Sequence, residues 1–279
     1  MRHQLPELPD AVRVLKQEES DRLDSLYPGL PKSLSQCPTC YGEKWFRWYA
    51  DDDIHYENIV EFDCPCSDQF VMFKYFLNAG IGKQGQIINM RDATGVDIEA
   101  IEMVANYVEN AHYFINRGMG LLFHGNKGNG KTMLAVILMK QLLANSGVDG
   151  YFTTFNNFLD NFAAGWRDDV NRRWFEKRVR NVPFLVVDDM GKEHQGRTDM
   201  AAAAVDTVFR SRTQNLLPTI ITTNLSLHDF ERSYSSGVMS LLSETSLTHE
   251  FTGEDWRKNQ GERNRREAKL MLTRPIVVS

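Results

Sequence analysis

What this chain lacks narrows it first. No cysteine follows Cys66, and all four fall between Cys37 and Cys66. No run approaches the ~20 consecutive apolar residues of a bilayer-spanning helix. The opening residues, Met1-Arg2-His3-Gln4-Leu5-Pro6, carry no apolar core of a secretory leader. A cytoplasmic protein with no membrane partner is therefore expected. Positive charge is also in short supply: 32 Lys and Arg stand against 37 Asp and Glu, a net charge of −5. That argues against a surface that binds nucleic acid everywhere, though it leaves room for a local basic groove. No internal repeat or low-complexity stretch occurs. What is present is ordinary for a folded soluble chain, 42% apolar and 25% charged. A chain of 279 residues suits one large core plus a smaller module.

The cysteines come as two close pairs, Cys37-Pro38-Thr39-Cys40 and Cys64-Pro65-Cys66. A reducing compartment would not keep disulfides, and two thiolate pairs converging on one tetrahedral Zn²⁺ fit this clustering. The C-x-C pair is tighter than usual zinc spacing. Incidental buried cysteines, or a redox pair, remain the alternative. Trp45, Phe46, Trp48, Tyr49, Tyr56 and Phe62 lie between the pairs, enough aromatic surface to cover a small metal-stapled hairpin.

The strongest signal is Gly125-Asn126-Lys127-Gly128-Asn129-Gly130-Lys131-Thr132, a G-x-x-x-x-G-K-T sequence. It follows a strand-like run, Gly120-Leu121-Leu122-Phe123-His124, and precedes a helix-like run from Met133. Glycines let the backbone curl around phosphates with its N–H groups inward, and a following helix N-terminus favours the anion. Lys131 then reaches the β- and γ-phosphates, and the Thr132 hydroxyl becomes a Mg²⁺ ligand. The chain is expected to bind a nucleoside triphosphate such as ATP.

Beyond Gly120 the pattern alternates strands, expected over 121–124, 151–154, 184–188 and 219–223, with helices over about 131–144, 156–165, 169–180 and 199–213. Such alternation predicts an α/β fold, a parallel sheet covered by helices on both faces. Upstream, a helix is expected over about 10–25, another over about 98–116, and a weakly periodic connector over 83–97. The domain boundaries follow: residues 1–78 with the cysteine module at 37–66, a linker and leading helix at 79–118, and the nucleotide-binding domain at 119–279.

Two strand ends carry the remaining chemistry. Phe184-Leu185-Val186-Val187-Asp188-Asp189 ends a buried-looking strand in two carboxylates, where parallel sheets place ligands. Asp188 is expected to hold Mg²⁺ beside Thr132, and Asp189 to orient and polarise the attacking water. Glu193 is a further, more remote candidate. Thr219-Ile220-Ile221-Thr222-Thr223-Asn224 ends in Asn224, which could contact the γ-phosphate or the water. Its alternative role is a turn residue before a Ser226 N-cap with Asp229 three residues on.

Together these motifs resemble an AAA+ ATPase, more narrowly a bacterial replicative-helicase loader of the DnaC/DnaI type or a phage version of one. The resemblance rests on Gly125–Thr132, on Asp188-Asp189-Met190-Gly191-Lys192-Glu193 as the family's D-D-x-G-x-E, and on Pro218-Thr219-Ile220-Ile221-Thr222-Thr223-Asn224-Leu225. The upstream C-x-x-C, C-x-C and Ala79-Gly80-Ile81 are similar to a zinc-bearing N-terminal region found in part of the family. It covers roughly residues 30–260. It implies ATP and Mg²⁺, ATP hydrolysis, a hexameric replicative helicase and single-stranded DNA as partners, and self-association into a spiral or ring on the helicase. Asp255-Trp256-Arg257 is similar to the family's second sensor segment, which would put Arg257 on the nucleotide. Where the family carries an inter-subunit arginine, this chain has Gly237-Val238-Met239-Ser240-Leu241-Leu242. Leu241 stands at the arginine's place, so hydrolysis is expected to be weak unless Arg210, Arg212 or Arg232 substitutes.

Basic residues interleave with aromatics over 172–180, and a second basic cluster, Arg263, Arg265 and Arg266 with Lys258 and Lys269, lies near the end. Both are candidates for DNA contact, with Tyr151, Phe152 and Phe155 as stacking residues; a merely solvated helix face is the alternative. Two further functions compete with the loader: a transposition helper ATPase of the IstB type, and a weakly hydrolysing adaptor switched by ATP.

Overall fold

The computed structural model describes residues 45–49, 59–63, 75–93, 95–146, 148–191, 198–253, 255 and 257–270. The four cysteines, the expected helix over 10–25, Glu193 and Trp256 lie outside them. The chain divides into two compact units, Met1–Asn78 and Ala79–Ser279.

The described part of the first unit is a hairpin, β1 (Trp45–Tyr49) and β2 (Ile59–Asp63). The strands pair antiparallel with Trp45 opposite Asp63, Arg47 opposite Glu61 and Trp48 opposite Val60. Residues of aromatic and β-branched type suit strands by propensity.

The second unit is built on a five-stranded sheet in the order β4-β5-β6-β3-β7. The strands are β3 (Gly120–Gly125), β4 (Gly150–Thr154), β5 (Phe184–Met190), β6 (Thr219–Thr223) and β7 (Ser246–Phe251). Every neighbouring pair is parallel. The longer helices are α1 (Ile98–Glu109), α2 (Lys131–Gln141), α3 (Phe155–Gly165), α4 (Asp169–Phe175), α5 (Thr198–Gln214), α6 (Leu227–Tyr234), α7 (Ser236–Thr245) and α8 (Arg257–Lys269). Among the described residues, no helix is long and apolar enough to cross a membrane.

Alternate residues of a strand face opposite sides, so the sheet serves two cores. Leu122, Leu185, Val187 and Ile221 join Phe155, Phe158, Phe175, Val205, Phe209, Phe230 and Tyr234, drawn from α3 to α6, in one apolar cluster. On the other face α2 packs between the sheet and α1. It is buried on every side from Met133 to Lys140, so its sequence is apolar all round rather than striped.

Three details differ from the sequence expectation. The leading helix breaks at Asn110, whose side-chain amide donates to the Asn106 carbonyl at 3.1 Å; the chain restarts as a short helix, Ala111–Asn116. The helix expected over 169–180 ends as α-helix at Phe175 and continues as a π-turn, Glu176–Arg180. β7 is an additional strand, and its polar alternation hides it among loop-like residues.

Candidate functional site

The glycine-rich loop joins β3 to α2. Gly128 and Gly130 take φ values of 86° and 95°, a region that favours glycine. Space demands glycine too: a Cβ on Gly130 would fall 2.9 Å from Val96 Cγ2, and one on Gly128 2.1 Å from Asp255 Oδ1. Gly130 is also the N-cap of α2, and no side chain caps that helix. The amides of its first turn are thus not taken by a capping side chain, and an anion suits them. Lys131 Nζ donates to the Gly125 carbonyl at 2.9 Å and to the Asn126 carbonyl. Asn129 is buried, and its amide donates to the carbonyls of Phe251 and Gly253 at 3.1 and 2.8 Å, tying the loop to the end of β7. Asn126 and Lys127 are exposed.

Across from Thr132 lies the end of β5. The Thr132 hydroxyl donates to Asp188 Oδ1 at 2.7 Å, which brings together the two residues expected to share Mg²⁺. The β5–β6 register shifts between Val187 and Met190, and Asp189 sits at φ 61°. Such a bulge re-aims a side chain. Asp189 Oδ1 consequently accepts from Asn224 Nδ2 at 3.1 Å. Ser226 caps α6, accepting from Asp229 N at 3.1 Å, so the turn beyond Asn224 is as expected and coexists with its contact to Asp189. Sequence reasoning passed over Thr222. Its hydroxyl donates to Asp188 Oδ1 at 2.6 Å and accepts from Asp189 N at 2.9 Å.

These groups face a cavity of about 610 Å³, the size of a small-molecule site. Gly128 to Thr132, Asp188, Asp189 and Asn224 form its polar wall. Ile81, Ile87, Ile88, Val136 and Phe152 form an apolar one, and Gly261 and Asn264 of α8 complete it. In sequence, residues 83–88 were part of the weakly periodic connector, and Ile81 stood only in the Ala79-Gly80-Ile81 segment of the resemblance. The segment 81–88 is held from behind by Lys140, wholly buried, whose Nζ donates to the carbonyls of Gln86 and Ile88 at 2.6 and 2.5 Å. Burial pushes the Lys140 ammonium down to about 8, with Asp92 opposing the shift. Asp92 in turn pairs with Arg263 of α8 at 2.6 Å. Arg257 begins α8.

The structure changes other candidates. Phe155 is 1% exposed and packs in the core, so it cannot stack on a base. Phe152 lines the cavity. Arg178 is buried, paired with Asp149 at 3.4 Å and stacked over Tyr151 at 5.1 Å. It therefore belongs to the fold rather than to an outer basic face. Arg173 and Lys177 are exposed, as is Arg172, which pairs with Asp169. Trp166, at 71% exposed, is an aromatic that sequence reasoning left aside. Leu241 is half-buried against the main core. Of its three possible substitutes, Arg212 is wholly buried and donates to Thr219 Oγ1 and to the carbonyls of Val179, Arg180, Val182 and Pro218. Its donors are committed to the fold and none reaches outward. Arg210 is half-exposed beside Asp206, and Arg232 is exposed.

A family model described as IstB-like ATP binding protein matches residues 86–263. The crystal structure of the DnaC helicase loader is similar at 26% identity and a TM-score of 0.54, over 61% of this chain and 100% of that one. DnaI is similar at 22% identity and a TM-score of 0.50, over 61% of this chain and 94% of that one. The replication initiator DnaA, bound to AMPPCP and single-stranded DNA, is similar at 14% identity and a TM-score of 0.51, over 66% and 56%. At such identities the last two likenesses are of fold alone. Among curated proteins, none matches the sequence.

Proposed function

Since the chain belongs to the family of IstB-like ATP binding proteins, we propose that it is an ATP-hydrolysing loader, one that binds a hexameric replicative helicase and delivers it onto single-stranded DNA. The observation that carries the reading is the match to the whole DnaC helicase loader chain at 26% identity. The cleft geometry supports ATP as its ligand. The glycine loop and the uncapped α2 N-terminus suit a polyphosphate, and the apolar wall at 81–88 suits a base.

The residues present also fit magnesium. Thr132 and Asp188 offer hard oxygen donors that already meet at 2.7 Å. When bound, the ion would neutralise charge on the phosphate oxygens. In this reading Lys131 leaves its own loop carbonyls to balance the β- and γ-phosphates. Asp188 and Thr132 hold the ion, Asp189 orients the attacking water, and Asn224 steadies Asp189 and senses the γ-phosphate. Arg257, at the start of α8, would complete the phosphate contacts.

The exposed Arg173, Lys177, Trp166 and Trp174 are the proposed DNA-facing residues, and self-association on the helicase would bring Arg210 or Arg232 to a neighbour's nucleotide. In the first unit, the hairpin register sets Trp45 beside Asp63, the residue before Cys64. The proposed Zn²⁺ site of Cys37, Cys40, Cys64 and Cys66 rests on the two close cysteine pairs of the sequence. The direct test is capture of purified hexameric replicative helicase by the tagged chain with ATP. Stable, ATP-dependent capture is expected. Failure to retain any helicase, together with capture of a transposase, would replace the loader by the transposition helper.

A further inference from the structure

Buried strands of parallel sheets are usually Val- and Ile-rich, yet three of the five residues of β6 are threonines, all buried. Two of their hydroxyls serve the fold: Thr219 accepts from Arg212 Nε, and Thr223 donates to the Met190 carbonyl and accepts from Leu225 N. Thr222 is different. It is 1% exposed, and its hydroxyl bonds to two consecutive residues, the Asp188 carboxylate and the Asp189 backbone N–H. Those residues sit where the β5–β6 ladder loses register. At such a break a backbone N–H is left without its strand partner; here the Thr222 oxygen takes it. The same oxygen's proton points at Asp188 Oδ1, the atom that also accepts from Thr132.

We infer that Thr222 is the positioning residue of the acidic pair, its one hydroxyl fixing the Asp188 carboxylate and stabilising the bulge that turns Asp189 toward Asn224. The inference rests on the reading of Asp188 and Asp189 as the ion- and water-directing carboxylates. Valine at 222 would keep the volume and remove both hydrogen bonds, leaving the buried Asp188 carboxylate one donor short and taking the threonine acceptor from the part-buried Asp189 N–H. Serine would keep both bonds.

The test measures affinity for a fluorescent non-hydrolysable ATP analogue with and without Mg²⁺, together with kcat and KM, for wild type, Thr222→Val and Thr222→Ser. Without Mg²⁺ the three should bind alike, within about twofold. Thr222→Val should lose about 10- to 100-fold in kcat/KM for Mg²⁺-ATP, the worth of a hydrogen bond to a charged group. It should also lose most of the Mg²⁺-dependent gain in affinity, and Thr222→Ser should restore both. A merely structural threonine would move melting temperature and leave the Mg²⁺ gain intact. Should Thr222→Val fail to fold, Thr222→Ala against Thr222→Ser makes the same comparison. A valine variant with wild-type Mg²⁺ dependence, or a serine variant as poor as valine, overturns the inference. Absence of turnover in the wild type would instead sink the ATPase reading, and the Mg²⁺ arm would still decide Thr222.

Discussion

Lys131 and Lys140 show how differently one helix can use the same side chain. Lys131, at the first turn of α2, is bound by carbonyls of its own loop and is positioned to exchange them for phosphate oxygens. Lys131→Ala should weaken ATP binding by about 100-fold or more, the loss of a charge-assisted contact in a desolvated site. Asp188→Ala should retain nucleotide in the absence of Mg²⁺ and lose turnover. Titration with labelled ATP separates the two, and equal hydrolysis by wild type and Asp188→Ala would contradict the role given to that carboxylate. Lys140, at the far end of the helix, donates to the backbone carbonyls of Gln86 and Ile88 and lies in the field of Asp92. Its folded pKa, about 8, lies below its ordinary value of 10.5. Between those values the unfolded chain binds the extra proton, so the contribution of Lys140 to stability rises with pH and is flat below about 8. Against Lys140→Met, the wild type should gain up to about 3 kcal/mol from pH 8 to 10.5. Denaturant titrations across that range check it; a gain on acidification would show the opposite linkage.

At the scale of elements, the ends decide more than the middles. α5 finishes with Leu217 N bonded to the Arg212 carbonyl at 2.9 Å, across a Leu216 held at φ 52°. Glycine usually occupies that left-handed position, and Leu216 is 57% exposed, so it gains little by burial. Leu216→Gly should therefore stabilise the protein by about 0.5–1 kcal/mol, raising Tm by about 1–4 °C. Calorimetry showing a lower Tm would mean that the leucine side chain contributes more than its exposure suggests.

Elements also explain what could be read in advance. β3 and β5 were legible because strands buried on both faces are nearly continuous apolar runs closed by turn residues, and β4 and β6 because short strand-like runs alternate with helix-like ones. β7 was not, because as an edge strand its Thr248 and Glu250 face solvent, which leaves too few apolar positions to mark it. Among site residues, Lys131, Thr132, Asp188 and Asp189 announce themselves by local motif. Thr222 acts only through cross-strand register, and segment 81–88 contributes scattered isoleucines and backbone groups. Neither leaves a pattern along the chain.

On the scale of the molecule, the two units carry separable chemistry. The hairpin unit is proposed to depend on a metal and the larger unit on a nucleotide. Metal analysis of the reduced, purified chain should return about one Zn²⁺ per molecule, released when the thiols are titrated. Cys37→Ser or Cys64→Ser should lose the metal while ATP affinity stays within about twofold, since the glycine loop and its partners all fall within Ala79–Ser279. Zinc-free protein, or cysteine variants that no longer bind ATP, would dissolve that separation.

The order of the sheet has a consequence for biosynthesis. β3, which carries the nucleotide loop, has only β6 and β7 as neighbours, and the loop itself is anchored to the Phe251 and Gly253 carbonyls through Asn129. On the ribosome the loop emerges long before any of these partners. Non-local pairings of this kind must wait for loop closure and fold slowly. β3 and the apolar α2 behind it are thus left as exposed sticky surface during translation, an interval suited to chaperone capture. A nascent or prematurely terminated chain ending before β6 would contain the whole phosphate-binding motif and yet lack both strands that hold it in place.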